Sequence, residues 1–206
     1  MDVKIGEPFR SSRHPHGLCG WQNRQYISQH IEYVLTNKAI SFLRAIDGPI
    51  AVISVAGLYR TGKSYLLNRV MLNQSNGFGV GPTVNPCTKG LWCWGTPLKG
   101  TSSEGESVNI IVIDTEGIGA LDEDQTHDTK IFTLAILASS CFVYNSVGSI
   151  DETAIQNLSL VVNLTKHIQL KASENNEDGE DPDEIATYFP TFFWVVRDFS
   201  LQLQDP

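Results

Sequence analysis

Residues 50–64 read Ile50-Ala51-Val52-Ile53-Ser54-Val55-Ala56-Gly57-Leu58-Tyr59-Arg60-Thr61-Gly62-Lys63-Ser64. The stretch Ile50–Val55 is an unbroken apolar run rich in β-branched side chains. Such a run suits a strand covered on both faces, as in a parallel sheet, rather than the alternating pattern of a half-exposed strand. The residues after it match the pattern G-x-x-x-x-G-K-[ST], directly behind a strand and opening a helix, which is the context that gives the motif meaning. Its glycines let the backbone wrap so that successive N–H groups and the helix N-terminus face a phosphate. Lys63 adds a mobile positive charge toward the β- and γ-phosphates, and Ser64 offers a hydroxyl oxygen to Mg²⁺.

A second buried run, Val108–Ile113, ends at Asp114 about fifty residues further on. A carboxylate at that strand end is placed to assist a magnesium ion, commonly through water. Asp114-Thr115-Glu116-Gly117 then fits a D-x-x-G switch, whose glycine N–H can sense the γ-phosphate. Two further short strands are expected over Cys141–Tyr144 and Phe192–Val196, and Leu91–Trp94 reads as another. Helices are expected over Asn37–Ile46 with Thr36 as N-cap, from Lys63 to about Leu72, from about Thr126 to Ala138, and over Asp151–Leu170. Thr96–Ser107 reads as a turn or hairpin tip. The order, strand-loop-helix repeated, implies an open and mostly parallel α/β sheet with helices on both faces. Ligands on such sheets bind at the carboxyl ends of the strands. That rule points to Gly57, Asp114, Asn145 and Asp198.

Composition limits the classes of function. The chain has 206 residues, 41% of them hydrophobic, and a formal net charge of −8. That balance argues against nucleic acid as a partner. The segment Ser173–Glu184 carries seven acidic residues and no Lys or Arg, so the negative charge is one local, solvated loop. Residues 1–21 lack periodicity and are expected as a loose arm before a domain over 22–206. No run suits a membrane span, an export signal or a lipid anchor. The four cysteines (Cys19, Cys87, Cys93, Cys141) form no C-x-x-C pair, and no histidine falls at zinc spacing with them. Reduced thiols and a cytoplasmic location are the expectation. His127-Asp128 reads as a solvated loop pair. Trp92 and Trp94 point to one side of their strand and read as core or interface packing.

Guanine selection needs a carboxylate that accepts from two adjacent donors on the base edge. The usual N/T-K-x-D run is missing. Asp198 stands at the equivalent strand end as Arg197-Asp198, and such a pair taken alone is more often a surface pair. The residues by themselves leave GTP and ATP both open.

The stretches GLYRTGKSYLLNRV, TVNPCTKGLWCWGTP, VIDTEGIG and FFWVVRDFSLQL, in that order, resemble the GTPase domain of the guanylate-binding proteins. The likeness to the atlastins, also in the dynamin superfamily, is more distant. The resemblance implies a three-layer P-loop GTPase fold and hydrolysis of GTP. It implies nucleotide contacts from the loop residues Gly57, Leu58, Tyr59, Arg60, Thr61, Gly62, Lys63, Ser64 and Tyr65. Gly117, Arg197 and Asp198 would complete the nucleotide site, with Asp198 reading guanine. Ser64 and Thr88 would ligate Mg²⁺, with Asp114 acting through water. Arg60, Lys63, Thr88 and Glu116 would be catalytic, Arg60 as an internal arginine finger that acts when two G domains meet as a homodimer. Many small GTPases place a Gln right after D-x-x-G; here it is Ile118, so Thr88 and Glu116 would order the water. Pro86 stands where some relatives carry a serine near that water. In the family the G domain continues past Asp198, so an incomplete G domain lacking its C-terminal part is expected. The other reading is a truncated binding module with little or no turnover.

Overall fold

The computed structural model describes residues 18–24, 32–80, 88, 90–119, 125–150, 152, 155, 156, 159 and 190–199. In chain order its elements are β1 (Leu18–Arg24), β2 (Glu32–Leu35), α1 (Asn37–Arg44), β3 (Ile50–Ala56), α2 (Lys63–Leu66), β4 (Leu91–Trp94), β5 (Leu98–Thr101), β6 (Ser107–Thr115), α3 (Gln125–Leu137), β7 (Cys141–Val147) and β8 (Thr191–Arg197). The strands form one sheet in the order β2-β1-β4-β6-β3-β7-β8, with β5 also paired to β6. The central block β6-β3-β7-β8 is parallel throughout. An antiparallel flank of β4, β1 and β2 extends it on the β6 side.

The apolar runs alternate between two cores, one on each face. Ile111 and Ile113 of β6, Ala56 of β3, and Phe142 and Tyr144 of β7 pack with Ile131, Phe132, Ala135 and Ile136 of α3. Val112 and Val55, one position over, pack on the other face with Leu67, Leu72, Phe78 and Trp94. Period-two alternation explains why these central strands are apolar at nearly every position. Phe132 meets Phe142 edge-on at 5.1 Å, within the range where aromatic pairs add to simple burial. Both tryptophans of β4 face the second core, and Trp94 is the more deeply buried.

Local signals explain the ends of the elements. Thr36 caps α1 by accepting from the Ala39 N–H at 3.1 Å. Three differences from the sequence expectation stand out. Strand β1 begins at Leu18, inside the segment expected as a loose arm, because Leu18, Cys19 and Gly20 pair with Trp94, Cys93 and Trp92 on the otherwise open edge of β4. The segment 96–107, expected as a turn or hairpin tip, contributes a strand, β5, and the turn of its antiparallel hairpin with β6. The helix after residue 62 is α-helical only to Leu66 and then forms one π turn, Leu67–Met71, closed by Leu72 N–H to Leu67 O at 2.9 Å. Asn68 enforces that turn. It is buried and bonds the Phe78 backbone twice, accepting from N–H at 2.7 Å and donating to the carbonyl at 2.9 Å.

Of the helix expected over Asp151–Leu170, residues 152, 155, 156 and 159 are helical, and the rest lie outside the described residues. The acidic segment 173–184, Pro86 and residues 1–17 also lie outside them. Among the described residues no helix is long and apolar enough to cross a membrane.

Candidate functional site

The parallel strands β3, β6, β7 and β8 end side by side, so residues 57–64, 114–119, 145 and 197–198 gather at one edge of the sheet. The loop after β3 has the backbone its glycines permit. Gly57 has φ +151° and Gly62, at the head of α2, has φ +77°. A side chain at Gly57 would collide with the carbonyl oxygen of Asn145, and one at Gly62 with the Arg197 guanidinium. Arg60 takes φ +60° without being glycine. Left-handed conformations of this kind concentrate where a loop is shaped for a ligand.

Three contacts hold the loop from the neighbouring strand ends. Asn145, fully buried, donates from Nδ2 to Thr61 O at 3.0 Å. Arg197 donates from Nη1 to Thr61 O at 2.9 Å and to Gly62 O at 3.3 Å. Thr61 Oγ1 donates back to Leu58 O at 2.8 Å. These bonds take up the Thr61 and Gly62 carbonyls, and a loop of this glycine-bounded kind can turn successive N–H groups toward an anion. Asn145, singled out in sequence only by the strand-end rule, is therefore a structural brace of this loop.

Lys63 is buried, 6% exposed, with Nζ on Leu58 O at 3.1 Å. Burial holds its ammonium below the ordinary lysine range, against the opposing pull of Asp114 and Glu116. Asp114 is fully buried, and burial raises its carboxyl above the ordinary range, opposed by Lys63 and by hydrogen bonds from Ser64 and Thr88. Ser64 Oγ donates to Asp114 Oδ2 at 2.6 Å and Thr88 Oγ1 to the same atom at 3.0 Å, with the two hydroxyls 3.5 Å apart. The other oxygen, Oδ1, is buried with no hydrogen-bond partner among the described residues. Residues fifty and twenty-six apart in sequence thus present three oxygen groups together. Hard oxygen donors with a single carboxylate and an unsatisfied oxygen fit Mg²⁺, which usually completes its shell with waters and substrate phosphates.

The Asp114-Thr115-Glu116-Gly117 stretch and Ile118 after it lie against the G-x-x-x-x-G-K-[ST] loop. Tyr59 N–H donates to Ile118 O at 2.9 Å and Ile118 N–H to Gly57 O at 3.1 Å. Glu116, 3% exposed, accepts from Gly90 N–H at 2.7 Å, and its own N–H donates to Gly90 O at 2.8 Å. It therefore clamps the segment that carries Thr88. His127 Nε2 lies 3.1 Å from Glu116 Oε2, and Asp128 accepts from Gly119 N–H at 2.7 Å. Both residues are buried, at 9% and 8% exposure. The expectation of a solvated pair is overturned: they form the first turn of α3, packed beneath the switch, where their polar groups find partners.

The remaining candidates lie at the periphery. Arg60 is exposed, its guanidinium carbon 5.9 Å from the centre of the Tyr59 ring. Tyr65 is 48% exposed and lies under both Arg69 and Arg197, at 5.6 and 6.0 Å. Asp198 is exposed with φ +54°, one residue beyond the Arg197 anchor.

This geometry can be set beside known proteins. Residues 30–205 match the family model "Guanylate-binding protein, N-terminal domain". The chain belongs to the guanylate-binding protein family. It is 41% identical over 178 residues to guanylate-binding protein 7 of Mus musculus, covering 86% of this chain and 27% of that protein. It is 40% identical over 174 residues to guanylate-binding protein 2 of Homo sapiens, covering 84% and 29%. Guanylate-binding protein 1 of Chlorocebus aethiops is 42% identical over 168 residues, covering 81% and 28%. The chain thus spans less than a third of the length of these guanylate-binding relatives. What it shares with them is the N-terminal domain, which holds the strand ends and the G-x-x-x-x-G-K-[ST] loop described above.

Proposed function

We propose that the chain binds GTP and hydrolyses it to GDP, and that it pairs with a second copy through its nucleotide face. The observation that carries this reading is the meeting of Ser64, Thr88 and Asp114 at the head of the phosphate loop, with Lys63 buried beside them. A buried lysine drawn toward neutrality and a buried carboxylate with an unsatisfied oxygen are a costly arrangement for stability alone. Phosphate oxygens and a cation complete both.

The residues would act as follows. The loop N–H groups and α2 take the phosphates, and Lys63 leaves Leu58 O to neutralise charge on the β- and γ-oxygens. Ser64 and Thr88, with Asp114 through water, would hold Mg²⁺, which when bound supplies charge neutralisation across the β- and γ-phosphates. Glu116 keeps the Thr88 segment in place and offers a carboxylate oxygen to the attacking water. Arg60 stabilises charge developing on the transferred group once a second domain presses the loop tip. Asp198 selects guanine.

Fluorescent GTP titrations and single-turnover hydrolysis, run with ATP as competitor and over a range of protein concentrations, test the reading. GTP is expected to outcompete ATP, and hydrolysis per molecule to rise with concentration. Binding without turnover would make the chain a nucleotide-gated module, and preference for ATP would remove Asp198 from the site. Chelation of Mg²⁺ is expected to weaken GTP binding about tenfold, in line with the loss of a single charge-assisted contact at the low end of its range. Asp114→Asn is expected to remove that dependence on the metal, and an undiminished effect of chelator in the variant would take Asp114 out of the metal site.

A further inference from the structure

Glu116 has two carboxylate oxygens with different surroundings. Oε2 accepts from Gly90 N–H at 2.7 Å and lies 3.1 Å from His127 Nε2. Oε1 is buried and has no hydrogen-bond partner among the described residues. A carboxylate is an acceptor only, so the ring nitrogen facing it carries the proton and donates. The consequence is directional. Two donors fix one oxygen, and the other is held in a set direction with its lone pairs unused.

We propose that His127 is a positioning residue for hydrolysis: its Nε2–H fixes Glu116 so that Oε1 is presented to the attacking water, while Oε2 holds Gly90, two residues beyond Thr88. The inference rests on the GTPase reading above and assigns a role that the motif pattern leaves blank. It also gives α3 a task. The helix is anchored in the core through Ile131, Phe132 and Ala135, so its first turn is a rigid base for the ring. Asp128, the next residue, secures the segment just beyond Glu116 by accepting from Gly119 N–H. A positioning group acts through alignment, so its loss lowers the rate of the chemical step and leaves ground-state binding of the nucleotide in place.

The test uses the full chain with two substitutions. His127→Gln keeps an N–H donor at about the reach of Nε2, and His127→Leu keeps bulk without a donor. Single-turnover GTP hydrolysis is expected to fall about tenfold or more in His127→Leu and to stay within about threefold of the parent in His127→Gln, with GDP affinity unchanged in both. Equal rates in parent and His127→Leu, or an equal loss in both variants, would overturn the proposal. Backbone amide exchange at Gly90 provides a readout independent of turnover. Exchange is expected to quicken in His127→Leu and to be restored in His127→Gln. If the parent itself fails to hydrolyse GTP, the GTPase reading fails. The Gly90 exchange then still decides whether His127 holds Glu116, and unchanged protection in His127→Leu refutes it.

Discussion

Arg60→Ala is expected to slow GTP hydrolysis about 10³-fold, the lower end of the range for arginine fingers, while GTP affinity stays within about threefold. The argument begins with the backbone. Arg60 adopts φ +60° in the phosphate loop, so its side chain projects from an exposed tip. There the guanidinium lies over the Tyr59 ring at 5.9 Å. An exposed cation–π contact of this kind is worth about 0.5–1 kcal/mol, a small term beside the charge that develops on a transferred phosphoryl group. In the proposed function the loop N–H groups and Lys63 carry ground-state phosphate binding, so removing Arg60 is expected to leave the bound state nearly unchanged. The loss falls on the transition state, and a tenfold change for each 1.4 kcal/mol puts it at about 4 kcal/mol. Arg60→Gly separates side chain from backbone, since glycine accepts the left-handed conformation without strain. Both variants are expected to be slow, and neither is expected to gain activity per molecule as protein concentration rises. Turnover equal to the parent in Arg60→Ala would remove Arg60 from the reaction.

The sequence made the sheet legible because its strands carry their own signal. Runs such as Ile50–Val55 and Val108–Ile113 are apolar on both faces, and the structure covers both faces. The phosphate loop was legible for a different reason: its glycines and lysine act at neighbouring positions, so one local pattern holds the geometry. What stayed hidden is non-local. His127 and Asp128 are polar residues at a helix start, and nothing near them in sequence shows that Glu116 and the Gly119 N–H will satisfy them. Asn145 and Arg197 act on carbonyls 84 and 136 residues away. The π turn at Leu67–Met71 follows from a side chain, Asn68, that bonds the backbone of a loop beyond the helix. Propensity reads a plain helix there, and tertiary bonding overrides it.

Asp198→Asn is expected to lower GTP affinity about 100-fold and to leave ATP binding unchanged, so that ATP competes on equal terms. Aspartate and asparagine both tolerate the left-handed backbone found here, φ +54°, so the substitution changes chemistry rather than shape. The carboxylate can accept from both the N1–H and the 2-amino group of guanine. The amide has one acceptor, and its own N–H₂ then faces a donor. Hydrogen bonds to a charged group are worth about 1.5–3 kcal/mol each, and a site built for a donor rejects a mismatched partner strongly. The anchor of the preceding residue gives this selection its reach. Arg197 is bonded to Thr61 O and Gly62 O, so Asp198, the proposed base reader, sits one residue from a fixed point on the loop. On that reading base and triphosphate would be measured from the same frame, so a base that fails to pair at Asp198 is expected to draw its phosphates out of register. Xanthine carries a 2-oxo group where guanine has its amine, so the side-chain amide introduced by Asp198→Asn can donate to it. Xanthosine triphosphate is accordingly expected to bind the variant better than GTP does, reversing the order found in the parent. A variant that still prefers GTP over both competitors would show that another group reads the base.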